Sequence, residues 1–513
     1  MSALWVCGSN SHGQLACSHS DDCARWTRVA LAGHLRPVAV ACGANHSLLL
    51  AADARTGERL VLGAGSNARG QLSPPAAPAL RLEFTPLPLA LPPPLSLADY
   101  SCVRIAACCD TSLVVLRPAD TTRSDILVSL GANDWGERAS PVASLAAASL
   151  VDLAALVDQH ARDHTTLRIV DLEAGPRHAL ALVELSSSSS SSSSPAPRRI
   201  LASWGASRHG QLGHAPSSPS SSSPQPPRVT YTPREVVLPP GYTGADVASF
   251  AAGRDHTAVL LRRVDEADQR VLLVGSNRHR QLGPPGDEDP AARRNVLDLA
   301  QQQQRVTAVH CTWSSTLLAL SPNPDPNPKP NPSLSPDPPA PPRPPAAALP
   351  PPGRERPRPS LVAFGLDSHG QLGIPPSAPA PASVPAPAPA PARGGVAYPR
   401  LSAQHRLGAL AAGSEHVLAL LVADGNGDGD GDGARGPSEV WGWGWNEHGN
   451  LPSPVPVPLS PAERESGDVW SPRRIWTSDE RRARAVRVWA GMASSWVLVE
   501  HDDAPDREGV CAP

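Results

Sequence analysis

The residues Gly8-Ser9-Asn10-Ser11-His12-Gly13-Gln14-Leu15 form a turn-like pattern near the start of the chain, and degenerate copies of it recur six more times. A short apolar stub enters each copy, as in Trp5-Val6-Cys7. The mean spacing is about 73 residues, which indicates a structural repeat lengthened by insertions. The first glycines of the seven copies are Gly8, Gly65, Gly131, Gly205, Gly275, Gly365 and Gly444.

A second repeated element follows each copy at a variable distance. It consists of a small residue, a glycine, two further residues, His or Ser, and then alternating aliphatic residues, as in Ala41-Cys42-Gly43-Ala44-Asn45-His46-Ser47. It returns around Gly175 to His178, Gly253 to His256, Gly413 to His416 and Gly491 to Ser494. In the two remaining copies, Cys108 and Cys311 stand where glycine is expected.

These elements predict strands joined by tight turns. Glycine permits a positive φ, Asn and Asp support turns through their side chains, and short apolar runs between turns are typical of strands. A unit of a few strands cannot bury both of its faces alone, so the copies must stack, and seven copies favour radial closure. We therefore predict an all-β, seven-bladed β-propeller that occupies residues 1–513 as one domain.

Five low-complexity segments interrupt this pattern, at 186–199, 214–227, 321–360, 374–395 and 424–438. They hold most of the 61 prolines and few large apolar residues. Burial could not offset the conformational entropy lost on ordering them, so we predict disordered Pro/Ser/Gly-rich loop insertions. The run Asp428 to Gly433, with Glu439, matches a calcium-loop pattern, but strand-like segments flank it and we interpret it as an acidic linker.

Composition excludes several classes of protein. The net charge is −3, whereas nucleic-acid-binding proteins are typically basic. Lys329, in a proline-rich segment, is the single lysine of the chain. A phosphate-binding P-loop and a Schiff-base enzyme each need a lysine in the active site, so both classes are excluded. The nine cysteines are odd in number and lack a Cys-x-x-Cys pair, which favours reduced thiols and no metal or cofactor site. The chain enters the first blade without a signal-like segment and has no membrane-length apolar run, so we expect a cytoplasmic location and leave a nuclear one open.

Nine histidines recur within the two repeated elements. Equivalent positions are spread around a ring, whereas a metal needs converging ligands, so we predict that these imidazoles form hydrogen bonds within each blade. They are His12, His209, His279, His369 and His448 in the first elements, and His46, His178, His256 and His416 in the second.

Two copies of the first element depart from the pattern. Arg280 replaces the second glycine of the fifth copy, and Gly136-Glu137-Arg138 replaces Gly-Gln-Leu in the third. A side chain forced to positive φ costs about 1 kcal/mol or more. We expect these two turns to differ from the others.

The last copy holds the candidate partner contacts. Trp441, Trp443 and Trp445 alternate with glycines, and Trp443 aligns with core positions of other copies. Trp445 lies in the turn, where it could anchor a partner or pack against the next blade. Glu447 and His448 share that turn, and Arg473 and Arg474 begin an arginine cluster that is either a solvated loop or a patch for an acidic partner or RNA.

The pair G-x-N-x-x-G-Q-L and G-x-x-H-S resembles the repeat of the regulator of chromosome condensation family, whose fold is a seven-bladed propeller. The ending Trp441 to Asn450, together with Ala490 to Trp496, resembles the compact fungal alpha-tubulin suppressor type members of that family. The resemblance implies a non-catalytic adaptor. One propeller would form a heterodimer with a small zinc-containing diphthamide-synthesis protein. It would then support diphthamide formation and Elongator-dependent modification of tRNA wobble uridines.

Two alternatives remain open. The family's name-giving member is a guanine-nucleotide exchange factor for the small GTPase Ran, so a Ran-like GTPase is the second candidate partner. The first residues of the sequence do not resemble the basic tail by which that member reaches DNA, so we expect neither direct DNA binding nor membrane binding. A general interaction scaffold that works through the proline tracts is the third reading.

Overall fold

The computed structural model describes residues 2–73, 78–141, 148–156, 165–187, 197–215, 228–263, 269–284, 293–298, 304–322, 360–375, 399, 401–402, 405–423, 437–454, 460–478 and 483–501. Within these residues, 27 β-strands form seven antiparallel sheets. This arrangement confirms the predicted all-β, seven-bladed propeller. The interiors of the five predicted insertions lie outside the described residues, and their outermost residues belong to the neighbouring strands or turns.

The strands of the first three blades follow the order of the chain. Blade 1 contains β3 (Leu35–Cys42), β4 (His46–Asp53), β5 (Arg59–Ser66) and β6 (Leu80–Pro86). Blade 2 contains β7 (Tyr100–Ala107), β8 (Thr111–Pro118), β9 (Ile126–Gly131) and β10 (Ser149–Leu150). Blade 3 contains β11 (Thr165–Ala174), β12 (His178–Ser187), β13 (Arg198–Ala206) and β14 (Val229–Glu235).

The remaining blades continue around the ring. Blade 4 contains β15 (Val247–Ala252), β16 (His256–Arg262), β17 (Gln269–Gly275) and β18 (Arg294–Asp298). Blade 5 has three described strands, β19 (Gln304–Cys311), β20 (Ser315–Pro322) and β21 (Ser360–Gly365). Blade 6 contains β22 (His405–Ala412), β23 (His416–Ala423), β24 (Ser438–Gly444) and β25 (Val469–Thr477). Blade 7 contains β26 (Ala483–Ala490), β27 (Ser494–His501), β1 (Ser2–Gly8) and β2 (Cys23–Arg28). The described helical segments are α1 (Pro461–Ser466) and 3-10 turns at Leu97–Asp99, Ala154–Leu156 and Gly244–Asp246.

Both ends of the chain build blade 7. Strand β1 pairs with β27 from Ser2 opposite Glu500 to Gly8 opposite Ser494. The innermost strands β3, β7, β11, β15, β19, β22 and β26 contact one another in sequence, and β26 returns to β3. The apolar core lies between adjacent sheets, as where Leu4 and Trp496 of blade 7 pack with Leu49 of blade 1. Closure thus leaves no sheet face of the ring without a partner.

One sequence copy is offset from one blade. Gly8 ends the third strand outward from the axis in blade 7, whereas Gly43 and His46 of the same copy join the first two strands of blade 1. The same offset holds around the ring. Each sequence repeat therefore contributes strands to two neighbouring blades. In blade 7, the second element of the last repeat lies beside the first element of the first repeat.

The first element forms a turn held by its own side chains. Asn10 Oδ1 accepts a hydrogen bond from the Leu15 amide at 2.9 Å, and Gln14 Oε1 accepts one from the His12 amide at 2.9 Å. The first glycines of all seven copies have φ between 102° and 128°. At Gly8 an added Cβ would collide with the Ala493 carbonyl oxygen of the adjacent turn, so glycine is required there for two reasons.

The two divergent copies keep the same turn geometry, contrary to our expectation. Arg280 adopts φ of 62°, close to the 76° of Gly370 at the equivalent position. In the third copy, a Glu137 carboxylate oxygen accepts the Trp135 amide hydrogen bond at 2.7 Å, as the glutamine does elsewhere. The hydrogen bonds of the turn evidently outweigh the local backbone strain at Arg280.

The alignment of the second element needs one correction. The Thr312 amide donates to the Ser315 carbonyl at 2.9 Å, as the Gly43 amide donates to the His46 carbonyl at 2.8 Å. Thr312 therefore occupies the glycine position of blade 5, and Cys311 belongs to the strand before it. The prediction for Cys311 was wrong by one residue.

The second-element histidines link neighbouring blades, so the prediction of hydrogen bonds within each blade was wrong. Ser112 Oγ of blade 2 donates to the Gln71 carbonyl at 2.7 Å and lies 3.1 Å from His46 Nε2 of blade 1. Because its proton is used on Gln71, Ser112 accepts from a neutral imidazole protonated at Nε2. Burial lowers the pKa of His46 to about 4, which keeps the ring neutral. The equivalent pairs are His178 with Thr257, His256 with Thr316, and His416 with Ser495.

Two blade boundaries use tryptophan instead of histidine. Where the next blade has no hydroxyl after the second element, the carbonyl of the turn receives an indole N–H. Trp204 Nε1 donates to the Glu137 carbonyl at 2.9 Å, and Trp443 Nε1 donates to the Gln371 carbonyl at 3.1 Å. In the strand register, Trp204 lies opposite Ala179 and Trp443 lies opposite Val417. Ala179 and Val417 occupy the position at which the histidine seams have Ser or Thr. The blades before these boundaries carry Thr111 and Ser315 in place of histidine.

The seam between blades 3 and 4 can be tested at Thr257. Thr257→Val keeps the shape of the side chain but leaves the Gln211 carbonyl and His178 Nε2 without their hydroxyl partner. We expect the free energy of unfolding, measured by urea denaturation, to fall by about 2–3 kcal/mol. Thr257→Ser keeps the hydroxyl and should lose about 1 kcal/mol through its missing methyl group. Equal losses in the two variants would contradict the role of the hydroxyl.

The strain at Arg280 can be tested by comparing two substitutions that both remove the guanidinium. We expect Arg280→Gly to be more stable than Arg280→Ala by about 1 kcal/mol, because glycine tolerates a positive φ and alanine does not. Gly370→Ala is the control in the opposite direction, since φ is +76° and the new Cβ would lie 2.7 Å from Trp470 Cα. Thermal unfolding measures both, and equal stability of the two Arg280 variants would refute the strain.

Candidate protein-binding face

Both repeated elements lie at the same end of every blade, because the strand that starts at the second element pairs with the strand that ends at the first. In blade 1, His46 lies opposite Gly65. We call this surface, formed by the seven first-element and seven second-element turns, the turn face. The predicted insertions 214–227 and 374–395 leave from the turn face, whereas 186–199, 321–360 and 424–438 replace hairpins on the opposite face.

Backbone hydrogen bonds join the second-element turns into an inner belt. The Ala44 amide donates to the Cys109 carbonyl at 2.8 Å, and the Cys109 amide donates to the Pro176 carbonyl at 3.0 Å. Farther round, Arg254 donates to Trp313 at 3.0 Å and Trp313 donates to Ser414 at 2.7 Å. Side chains carried by these turns are therefore held in place before any partner arrives, which reduces the entropy lost on binding.

Trp135 is the most exposed tryptophan of the turn face, with 39% of its surface accessible. The guanidinium of Arg177, from the next blade, lies 4.5 Å from its ring centroid. Arg177 forms no ion pair with any residue in the described ranges, whereas the neighbouring Arg69 is neutralised by Asp134 at 2.8 Å. An indole stacked with an unpaired arginine is the residue pair that dominates many protein interfaces.

A second tryptophan–arginine pair, in which the arginine also has an acidic partner, lies between blades 4 and 5. Arg254 lies 5.9 Å from the Trp313 ring centroid and forms an ion pair with Asp255 at 3.1 Å. Nearby, Gln371 Nε2 donates to Glu415 Oε2 at 2.7 Å. Burial raises the pKa of Glu415 to about 7, against the opposing charge of Arg254. This part of the turn face therefore changes its charge near neutral pH.

A basic pocket of about 410 Å³ lies between the first-element turns of blades 3 and 4, lined by His209, Arg278, Arg293 and Arg294 among others. Burial lowers the pKa of His209, and the surrounding arginines lower it further, so its ring is neutral. The described turns of blades 3 and 4 carry one carboxylate, Asp255, against the arginines Arg177, Arg208, Arg254, Arg278, Arg280, Arg293 and Arg294. The connection between Pro284 and Arg293, outside the described ranges, contains the acidic run 287–289.

The predicted contacts in the seventh copy lie on the turn face. The Trp445 ring meets His448 edge-on at 5.3 Å between centroids and lies 6.3 Å from His369. His448 Nδ1 lies 2.7 Å from Asp22 Oδ2 of blade 7, while Glu447 is exposed. Trp445 is half-buried between two histidines, so it packs against the turn of the neighbouring blade, and its role as a partner anchor stays a prediction.

Arg473 and Arg474 lie apart from that turn, in the outermost strand β25 of blade 6. Arg474 forms an ion pair with Glu439 at 3.0 Å, and Glu439 also accepts from Trp441 Nε1 at 2.8 Å. Residues 481 and 482 of the arginine cluster, and the aspartates of the calcium-like run, lie outside the described residues. Arg484 and Arg487 belong to the innermost strand β26, so the sequence cluster is divided between two edges of the ring.

The innermost strands carry a separate group of charges. Arg104 of β7 and Asp171 of β11 form an ion pair at 3.0 Å between blades 2 and 3. Burial raises the pKa of Glu173 to about 8, with Asp171 adding to the effect, and burial lowers the pKa of His310 to about 4. Both groups are therefore uncharged near neutral pH and add little net charge at the axis of the ring.

The structure also brings together a group that the sequence analysis missed. Cys17, His19 and Cys23 each offer a ligand atom, and these atoms lie within 4.8 Å of one another. The sequence analysis examined Cys-x-x-Cys spacing and the histidines of the repeats, and His19 belongs to neither. The pattern C-x-H-x3-C was the available signal.

No described helix is long and apolar enough to cross a membrane. A family model described as the regulator of chromosome condensation (RCC1) repeat matches residues 3–50 and 203–260. No curated protein sequence matches the chain. The two matched ranges coincide with the first and fourth copies of the repeat.

Solved structures of two proteins match almost the whole chain. Human WBSCR16 is 15% identical, with a TM-score of 0.60 over 98% of this chain and 100% of that one. Prp20p from Saccharomyces cerevisiae, described with its binding to Gsp1p and histones, is 18% identical, with a TM-score of 0.60 over 98% of this chain and 92% of that one. The same yeast protein bound to Kap60 is 17% identical, with a TM-score of 0.60 and coverage of 98% and 89%. At these identities the likeness establishes the fold alone, a seven-bladed propeller, and the repeat model covers two ranges of the chain.

Proposed function

We propose that this propeller is a non-catalytic adaptor whose turn face binds an acidic surface of a protein partner. The observation that carries the proposal is the pair of tryptophan–arginine stacks, Trp135 with Arg177 and Trp313 with Arg254, beside the arginine-rich turns of blades 3 and 4. Tryptophan and arginine are enriched at binding hot spots, and a concentration of arginines favours an acidic partner.

The histidine environments support a non-catalytic role. His46 and Ser112 resemble a nucleophile and its base in distance alone, at 3.1 Å. Both are fully buried, and the hydroxyl proton is committed to the Gln71 carbonyl, so the imidazole does not activate the hydroxyl. Thr257 and Thr316 likewise donate to the Gln211 and Gln281 carbonyls, whereas Ser495 of the fourth seam is buried and lies 3.2 Å from His416 Nε2.

The more specific form of the proposal names the partner. The resemblance of the Trp441 to Asn450 ending to the fungal alpha-tubulin suppressor type supports a small zinc-containing diphthamide-synthesis protein. The position of Trp445 on the turn face, between His369 and His448, is compatible with such a contact. Under this proposal the chain acts in the cytoplasm as one propeller of a heterodimer and supports diphthamide formation and tRNA wobble-uridine modification.

A second candidate is guanine-nucleotide exchange on a Ran-like GTPase. The observation in its favour is the likeness in fold to Prp20p, which is described as binding Gsp1p. Exchange requires a rigid surface that displaces the loops around the nucleotide, and the belt of hydrogen-bonded turns could provide one. The fold is shared by both candidates, so it does not choose between them.

The binding proposal predicts the effect of altering the turn face. We expect partners that co-purify at stoichiometric yield to be lost, or to bind at least about tenfold more weakly, in Trp135→Ala and Arg254→Glu, because hot-spot residues each contribute more than about 1 kcal/mol. The matched controls are Tyr100→Ala and Arg123→Glu, a stacked pair at 5.1 Å on the opposite face. Unchanged binding in the turn-face variants, or equal loss in the controls, would contradict the proposal.

The same preparation separates the two candidate partners. Recovery of a small zinc-containing protein by mass spectrometry supports the first candidate. Release of a fluorescent nucleotide from a Ran-like GTPase, accelerated by catalytic amounts of the chain, supports the second. Turnover of a small metabolite by the purified chain alone would overturn the adaptor role.

A further inference from the structure

The chain between the first turn and strand β2 has an unusual conformation. After Leu15 it passes through two non-glycine residues with positive φ, Ala16 at 57° and Ser18 at 64°, before it reaches Cys23. Positive φ is costly for both residue types and persists where other contacts hold it. Here it turns two cysteine side chains and one histidine side chain toward the same point.

Asn10 braces this segment from the first turn. Its side-chain amide donates to the His19 carbonyl at 2.8 Å and to the Asp21 carbonyl at 3.1 Å, and its backbone amide donates to Asp22 Oδ1 at 2.7 Å. Asp22 also contacts His448 of blade 6. The loop is therefore fixed on both sides, a condition under which ligands can be held in a defined geometry.

We propose that Cys17, His19 and Cys23 form a binding site for one Zn²⁺ ion. Two thiolates and one imidazole are typical ligands of this ion, and four-coordinate Zn²⁺ places neighbouring ligand atoms about 3.5–4 Å apart, given bonds of about 2.0–2.3 Å. The observed separations, all within 4.8 Å, require only a small closure of the loop. Three protein ligands leave a fourth position for water or for a side chain of a partner.

One hydrogen bond of the group lies where the ion would bind. The Asp21 amide donates to His19 Nδ1 at 3.2 Å, so an ion bound at Nδ1 would take the place of that amide.

Other thiols of the described chain are arranged differently. Cys7 lies close to Cys23, but its Sγ contacts the Asn450 carbonyl at 3.4 Å and it is fully buried. Burial raises the pKa of Cys102 to about 12 and that of Cys109 to about 11, so these thiols stay protonated. They serve as internal controls for the proposed site.

The test uses the full-length chain, free of any affinity tag, in a phosphine reductant, titrated with Co²⁺ as a spectroscopic probe and then with Zn²⁺. We expect one Co²⁺ per chain, with a thiolate-to-cobalt charge-transfer band and tetrahedral d–d bands, displaced by stoichiometric Zn²⁺. His19→Ala, Cys17→Ser and Cys23→Ser should weaken binding by on the order of 100-fold or more, since even residues behind the ligands cost 10–100-fold. Circular dichroism checks that each variant is folded.

His12→Ala and Cys109→Ser are the matched controls, a histidine of the neighbouring turn and a cysteine of another blade, and both should bind Co²⁺ like the unaltered chain. His19→Ala changes a surface loop and remains decisive even where a cysteine variant fails to fold. Absence of the charge-transfer band, binding that survives His19→Ala, or a Cys17–Cys23 disulfide that persists in reductant would overturn the proposal.

Discussion

The carbonyl oxygen at the glutamine position of the first-element turn is the atom on which five of the seven blade boundaries depend. It faces the next blade at a buried boundary, where an unpaired carbonyl would be costly. Three boundaries supply a hydroxyl that is itself held by a histidine, and two supply the N–H of Trp204 or Trp443. The blades are thus joined by directional hydrogen bonds as well as by apolar contact.

This constraint fixes the orientation of the four second-element histidines. Each second-element imidazole is buried, neutral and committed through Nε2 to the next blade. Glycine is needed three residues before the histidine because the imidazole packs against that position, and a Cβ at Gly43 would collide with the His46 ring. A rigid ring of this kind leaves recognition to the side chains that project from its turns, and on blades 3 and 4 these are mainly arginines.

Much of this could be read from the sequence. The number of copies and the glycine and asparagine positions led to the blade count and to the turns, since their hydrogen bonds run between residues within six positions of one another. The backbone strain at Arg280 was also predicted, although the expected change of turn geometry did not occur. The histidine bonds were assigned to the wrong partners, because a partner in the next blade lies 60 or more residues away and periodicity carries no information on it.

The sequence by itself determined the repeated unit, because local hydrogen bonds and positive-φ glycines depend on residues close together in the chain. Only the tertiary structure decided which residues of distant units come into contact. The stacking of Trp135 with Arg177, the division of the arginine cluster between β25 and β26, and the approach of Cys17, His19 and Cys23 all depend on how the backbone folds back on itself. Such meetings are set by the closure of the ring and the path of its loops, and these depend on packing between distant segments.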